Sequence, residues 1–121
     1  MVLTQPAERP GDKIAMLWRA VNARGMRCNV LPIASYSVLG AAFMQAWRRL
    51  SATFGRVFAS GACVGVCRHH GAGRIGAVAA MHLIDAGYET ETALRLLRRQ
   101  FPETVGADHQ HGWLTRYALG L

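Results

Sequence analysis

The sequence lacks acidic side chains over most of its first two thirds. Between Asp12 and Asp85 there is no Asp or Glu, although nine Lys and Arg residues fall in the same stretch. No carboxylate in this stretch can therefore act as a general base, a general acid or a metal ligand. Over the whole chain, 14 Lys and Arg stand against 7 Asp and Glu, and the formal net charge of +7 favours anionic partners.

Lysine is nearly absent as well, because every cation except Lys13 is an Arg. The planar guanidinium suits bidentate contacts with phosphate or carboxylate, but a GC-rich genome that encodes most cations as Arg explains the same bias. Nucleic-acid binding is not expected, because Trp47, Phe54 and Phe58 follow the spacing of a buried helix face instead of a stacking platform. We interpret the following cations as solvated helix faces: Arg48, Arg49, Arg95, Arg98 and Arg99.

Cysteine is scarce. Cys28, Cys63 and Cys67 are an odd number at irregular spacing, and the first residues lack the apolar core of a secretory signal. These absences exclude a disulfide scaffold and predict a reduced, cytoplasmic protein. Cys63 and Cys67, followed by His69 and His70, match no standard metal-ligand spacing, so we expect neither a metal nor a cofactor.

One uncharged stretch, residues 28–47, has the length of a membrane span. Pro32, Gly40 and several polar side chains interrupt it. We therefore interpret it as a strand, a loop and the start of a helix, and we expect no membrane segment.

Apolar spacing divides the rest of the chain into helices and short apolar runs. Residues 1–11 are interpreted as a flexible leader and residues 12–121 as a single domain. Helical spacing and terminal glycines predict helices over 12–24, 41–60, 77–87, 89–100 and 109–119. Continuous apolar runs predict strands over 26–33 and 62–67, with a loop at 34–40 between the first strand and the second helix.

This order of elements predicts an α/β fold with a small, mainly parallel sheet flanked by helices. Two strands are too few to keep a parallel sheet dry on both faces. We therefore expect a protein partner, or a second copy of the chain in a homo-oligomer, to complete the sheet.

A glycine-rich turn lies between the second predicted strand and the helix at 77–87. Gly71, Gly73 and Gly76 allow the backbone to curl so that several N–H groups point at one anion. The Arg74 guanidinium can bind the same anion through two hydrogen bonds, next to the positive end of the helix dipole. The spacing predicts an anion-binding turn, although it matches neither the Walker motif nor the dinucleotide fingerprint.

The run VCRHHGAGRIG at 66–76 resembles the phosphate-binding loop of cysteine-dependent protein-tyrosine and dual-specificity phosphatases, V-H-C-x-x-G-x-G-R-[ST]-G. Residues 23–38, ARGMRCNVLPIASYSV, are similar to a segment of the compact bacterial group related to kinase-associated phosphatase. Residues 43–50, the helix at 77–87, the stretch after Leu94 and Gln110 also fall where that group has counterparts. The resemblance covers residues 14–118 and implies a shortened phosphatase-like fold.

The resemblance also exposes departures from the family. It places Arg68 at the position of the nucleophilic cysteine and Ser35 at that of the general acid. Cys67 replaces the His before the nucleophile, and Ile75 replaces the hydroxyl residue after the Arg. A catalytically impaired phosphatase-like protein, or pseudophosphatase, is implied. The phosphate-binding residues that the resemblance implies are Arg68, His69, His70, Gly71, Ala72, Gly73 and Arg74.

Three functions are open at this point. The leading one is the binding of a phosphorylated protein, or another anionic partner, through the glycine-rich loop. A structural or accessory subunit of a larger assembly would need only the helical faces and the open sheet edge. An active phosphatase would have to use Cys67 as the nucleophile, with one extra residue in the loop.

Overall fold

The computed structural model describes residues 1, 13–31, 40–67, 73–105 and 108–120. These residues form five helices: α1 (Lys13–Asn22), α2 (Ala41–Ala59), α3 (Gly73–Asp85), α4 (Thr90–Gln100) and α5 (Asp108–Ala118). They contain no β-strand and no sheet, so the described part of the chain is all-helical. None of these helices is both long enough and apolar enough to cross a membrane.

The predicted α/β fold with its small parallel sheet is therefore wrong, and so is the phosphatase-like hydrolase fold that the resemblance implied. Residues 26–31 and 62–67 are extended or irregular, and each holds one isolated bridge position, Val30 and Cys67. Residues 32 and 33 of the first predicted strand, and most of the predicted loop, lie outside the described residues.

The run at 62–67 has the apolar density of a central strand, but it contacts the helices on one side only. Cys63, Gly65 and Cys67 are exposed on its other side. Leu31 is buried, whereas Val64 and Val66 are half-buried against the helical core. A central strand would bury both faces, and a parallel pair of strands is stable only within a larger, covered sheet. Contact with the helices on one side partly buries these apolar residues without a sheet.

The five predicted helices are confirmed, with their ends shifted by a few residues. The glycines that predicted the ends of α1, α2 and α3 all adopt positive φ, at 72° for Gly25, 79° for Gly61 and 97° for Gly87. After Gly87, the Tyr88 N–H donates to the Leu83 carbonyl oxygen at 3.0 Å. Because a side chain would be strained at such a φ, the glycine decides where the helix ends.

The core is built around α3, which packs against both α4 and α5. From α2, Phe43, Trp47 and Phe54 enter the same core. The Trp47 ring is fully buried, with its centroid 6.1 Å from that of Phe43 and 6.4 Å from that of Phe54. Among the described side chains, α1 contributes none to this core.

Helix α3 begins at Gly73, four residues before the predicted start at 77 and inside the predicted glycine-rich turn, whose residues 69–72 lie outside the described residues. Gly73, Arg74, Ile75 and Gly76 form the first turn of the helix. Gly76 is buried, and a Cβ atom there would lie 2.4 Å from Thr104 Cγ2 and 3.3 Å from Thr104 Cα. This glycine therefore allows close packing of α3 against the segment after α4 and does not curve a turn.

We expect Gly76→Ala to destabilise the protein. The added Cβ atom would overlap Thr104, and overpacking of this kind costs about 1–3 kcal/mol in the free energy of unfolding. Gly55→Ala is the matched control, because Gly55 is exposed on α2 and nothing lies within 4 Å of its Cβ position. That change should stabilise the helix by about 1 kcal/mol. Urea denaturation followed by circular dichroism measures both effects, and equal effects would contradict the packing role of Gly76.

Candidate functional site

Much of the predicted phosphate-binding loop lies outside the described residues. The predicted site residues outside them are Ser35, Arg68, His69, His70, Gly71 and Ala72. Gly73, Arg74 and Ile75 lie together in the first turn of α3, and Cys67 is exposed at the end of residues 40–67. The described site therefore consists of the start of α3 and the groups that pack against it.

Arg74 is a buried cation at the start of α3. Only 4% of its surface is exposed. The first turn of this helix contains no acidic residue. Because a helix N terminus itself carries a partial positive charge, the guanidinium adds to the local positive potential instead of opposing it. This arrangement favours an anion at the start of the helix.

Gln110 on α5 lies against the first residue of α3. It is buried, and a Cβ atom at Gly73 would lie 3.5 Å from Gln110 Oε1 and 3.9 Å from Gln110 Nε2. Glycine at position 73 therefore leaves room for the amide group beside the helix start. An amide offers two donors and an acceptor, so Gln110 is able to hydrogen-bond both an anion and the backbone. We call Gly73, Arg74 and Gln110 the α3 N-terminal site.

The segment between α4 and α5 supports this site because its Thr104 packs against Gly76 of α3. Arg98 donates from Nε to the Thr104 carbonyl oxygen at 3.2 Å and from Nη2 to the Val105 carbonyl oxygen at 3.1 Å. Val105 has a φ of 51°, which a β-branched residue rarely adopts. The two Arg98 hydrogen bonds hold this strained backbone, and they thereby position Thr104 against Gly76.

Sequence reasoning missed part of this arrangement. Arg98 was interpreted as one cation of a solvated face, and no local signal distinguishes it from Arg95 or Arg99. Gln110 was indicated only by the resemblance, as a position with a counterpart. Its place beside Gly73 follows from the packing of α5 on α3.

A second polar cluster is centred on Asp85 at the end of α3. Its carboxylate accepts hydrogen bonds from Ser51 Oγ and from the Tyr117 hydroxyl, both at 2.6 Å. Trp47 Nε1 donates to the Tyr117 oxygen at 3.1 Å. Burial, together with the hydrogen bond to Asp85, raises the pKa of Tyr117 to about 12, so this hydroxyl stays protonated. The cluster joins α2, α3 and α5.

His82 lies among aromatic rings beside the Asp85 cluster. Its ring centroid is 4.7 Å from that of Trp47, 5.3 Å from that of Phe54 and 5.5 Å from that of Phe58. Among the described residues, its buried Nε2 atom has no hydrogen-bond partner. Burial lowers the pKa of His82, and the charge of Asp85 opposes this shift in part. The folded protein therefore favours the neutral ring.

We expect the stability of the protein to fall as the pH drops below about 6.5, the ordinary histidine pKa. Below that value the unfolded chain takes up a proton at His82 before the folded chain does, whereas above it this contribution to stability is fully present. His82→Phe keeps an aromatic ring that does not titrate, so it should lose less stability on acidification. Thermal unfolding from about pH 7.5 to about pH 5 measures the change in Tm. An identical fall in Tm for both proteins would show that His82 is not responsible.

Within the described ranges, no group of three or more His, Cys, Asp or Glu side chains could hold a metal ion. Cys67 is a free, exposed thiol, and its backbone N–H donates to the Met1 carbonyl oxygen at 2.8 Å. Comparison with known proteins adds no identification, because no protein-family model and no curated protein matches this sequence.

Proposed function

We propose that this chain is a binding protein for a phosphorylated or otherwise anionic partner, which it binds at the α3 N-terminal site. The observation that carries the proposal is the position of Arg74, a cation in the first turn of α3, which contains no acidic residue. Arg74 directly follows Gly73, whose Cβ position lies 3.5 Å from the Gln110 amide oxygen. A phosphate at the helix start would contact both the guanidinium and the N-terminal N–H groups.

The neighbours of Arg74 support an anionic ligand at this position. Gly73 carries no side chain that would cover the first N–H groups of the helix. Gln110 brings an amide, and thus further N–H donors, to the same place. The sequence also holds no Asp or Glu between Asp12 and Asp85, so the net charge of +7 is concentrated in the part of the chain that contains Arg74.

The proposal is limited to binding. At the positions that the resemblance assigns to the nucleophile and the general acid, this chain has Arg68 and Ser35, and neither side chain supplies a thiolate or a carboxylic acid. We also place the protein in the cytoplasm, because Cys28, Cys63 and Cys67 are free thiols, as expected in a reducing compartment.

Calorimetric titration with inorganic phosphate and with phenyl phosphate tests the proposal. We expect both to bind, and we expect Arg74→Ala to weaken binding at least about tenfold, because charged hydrogen bonds contribute about 1.5–3 kcal/mol. Arg74→Lys keeps the charge but loses the bidentate fork, so its affinity should be intermediate. This second variant also serves if Arg74→Ala does not fold, which circular dichroism detects.

The matched control is Arg95→Ala. Arg95 is exposed on α4, and among the described residues its side chain donates to Thr92 of the same helix, at 3.5 Å, so its loss should change the affinity by no more than about twofold. Absence of phosphate binding by the unaltered protein would overturn the proposal. Equal losses of affinity in the Arg74 and Arg95 variants would do the same, since they would indicate attraction by net charge alone.

A further inference from the structure

A groove with apolar walls lies between α1 and α2. We call it the α1–α2 groove; its volume is about 470 Å³, and its walls come from α1, α2, residues 26–29 and residues 63–67. Its apolar lining includes Leu17, Val21, Met26, Phe54, Val57 and Val64. The groove shares no residue with the α3 N-terminal site.

Large apolar side chains around the α1–α2 groove are exposed. Leu17 and Met26 line it and are 38% and 51% exposed. Met16 and Trp18 extend the apolar surface along α1 and are 65% and 52% exposed. Apolar side chains that are exposed together, rather than singly, mark binding surfaces. Since α1 adds no described side chain to the core, its apolar residues are explained better by a partner than by the fold.

One wall of the groove is extended backbone, and Met1 of the same chain, which also lines the groove, is hydrogen-bonded to it. Within the described part of the chain, residues 62–67 are tied to other residues by Ala62 N–H, which donates to the Val57 carbonyl oxygen at 3.1 Å, and by two hydrogen bonds with Met1. The Met1 amino group donates to the Gly65 carbonyl oxygen at 2.6 Å, and the Met1 carbonyl oxygen accepts from Cys67. An extended peptide adds to a protein through main-chain hydrogen bonds of this kind.

Among the described residues, the charged side chains of the groove walls are all basic. Arg27 lines the groove, and Arg56 donates from Nη2 to Oγ1 of Thr53, another lining residue, at 3.3 Å. Because the sequence has no Asp or Glu between Asp12 and Asp85, every charged side chain on α2 is also basic. A second copy of this chain, with its own net charge of +7, would bring like charges together at this surface.

We propose that the α1–α2 groove binds an extended segment of a partner protein in which apolar residues alternate with Asp or Glu. Successive side chains of an extended chain point to opposite sides, so one set fills the groove while the other faces outward. The apolar set contacts Leu17, Met26 and Val64. The outward carboxylates lie at the level of the rim, where Arg27 and Arg56 attract them.

Fluorescence anisotropy with a labelled eight-residue peptide of alternating Val and Glu tests this proposal. We expect saturable binding that weakens as salt is raised, because exposed charge pairs are screened over about 8 Å at physiological ionic strength. The same peptide with Lys in place of Glu should not bind. Arg27→Glu combined with Arg56→Glu should weaken binding about tenfold or more, since two attractive contacts become repulsive.

Two further variants distinguish a loss of peptide binding at the groove from a loss caused by the lower net charge or by misfolding. Arg95→Glu combined with Arg99→Glu makes the same change in net charge on α4, away from the groove walls, and should weaken binding far less. Leu17→Ser changes an exposed apolar residue of the groove and should weaken binding without altering the helical circular dichroism.

The proposal is overturned if the Val and Glu peptide does not bind, or if the two pairs of charge reversals weaken it equally. It is also overturned if sedimentation shows a dimer of the unaltered chain that Leu17→Ser dissociates, because a second copy would then occupy the groove. If the Arg27 and Arg56 variant loses peptide binding but still binds phosphate, the loss is confined to the groove and the α3 N-terminal site is intact.

Discussion

Helix α3 approaches the segment after α4 at a distance that only glycine permits, and the position of the first turn of α3 depends on this contact. At Gly76 the helix backbone lies against Thr104, and Arg98 holds the carbonyl groups of Thr104 and Val105 in position. Arg74, in the same turn of the helix as Gly76, is buried as well. A larger residue at position 76 would push Thr104 away from α3 and so disturb the packing around the first turn of the helix.

The opposite end of α3 is joined to the rest of the core by polar contacts as well as by apolar packing. Asp85 accepts hydrogen bonds from α2 and α5, and His82 lies among the aromatic rings of α2. This network orients α2 on the three helices that follow it. Of the hydrogen bonds in this network, the one from Trp47 to Tyr117 is partly buried, and it fixes the side of α2 that faces α5. One face of α2 is thereby left for the groove that it forms with α1.

The two proposed binding surfaces differ in form but share one electrostatic cause. At the start of α3, Arg74 is buried and the Gln110 amide lies against the preceding residue, Gly73, which suits a small anion such as a phosphate group. Between α1 and α2 the guanidinium groups are exposed around an apolar groove, which suits a polypeptide with both apolar and acidic side chains. In both places the positive potential arises because this part of the sequence contains no carboxylate. Both surfaces therefore favour anionic partners, and their different shapes select a small anion at the α3 N-terminal site and a polypeptide at the α1–α2 groove.

Local patterns in the sequence determined the helices, because apolar spacing and a glycine at positive φ act within a few residues of chain. They also determined the sign of the charge and singled out Arg74. Tertiary packing alone decided that the runs at 26–31 and 62–67 are not strands, since an apolar run looks the same whether it pairs in a sheet or lies against helices. It also decided that Gly76 serves close packing and that Gln110 lies beside Gly73, because those contacts join residues more than twenty-five positions apart.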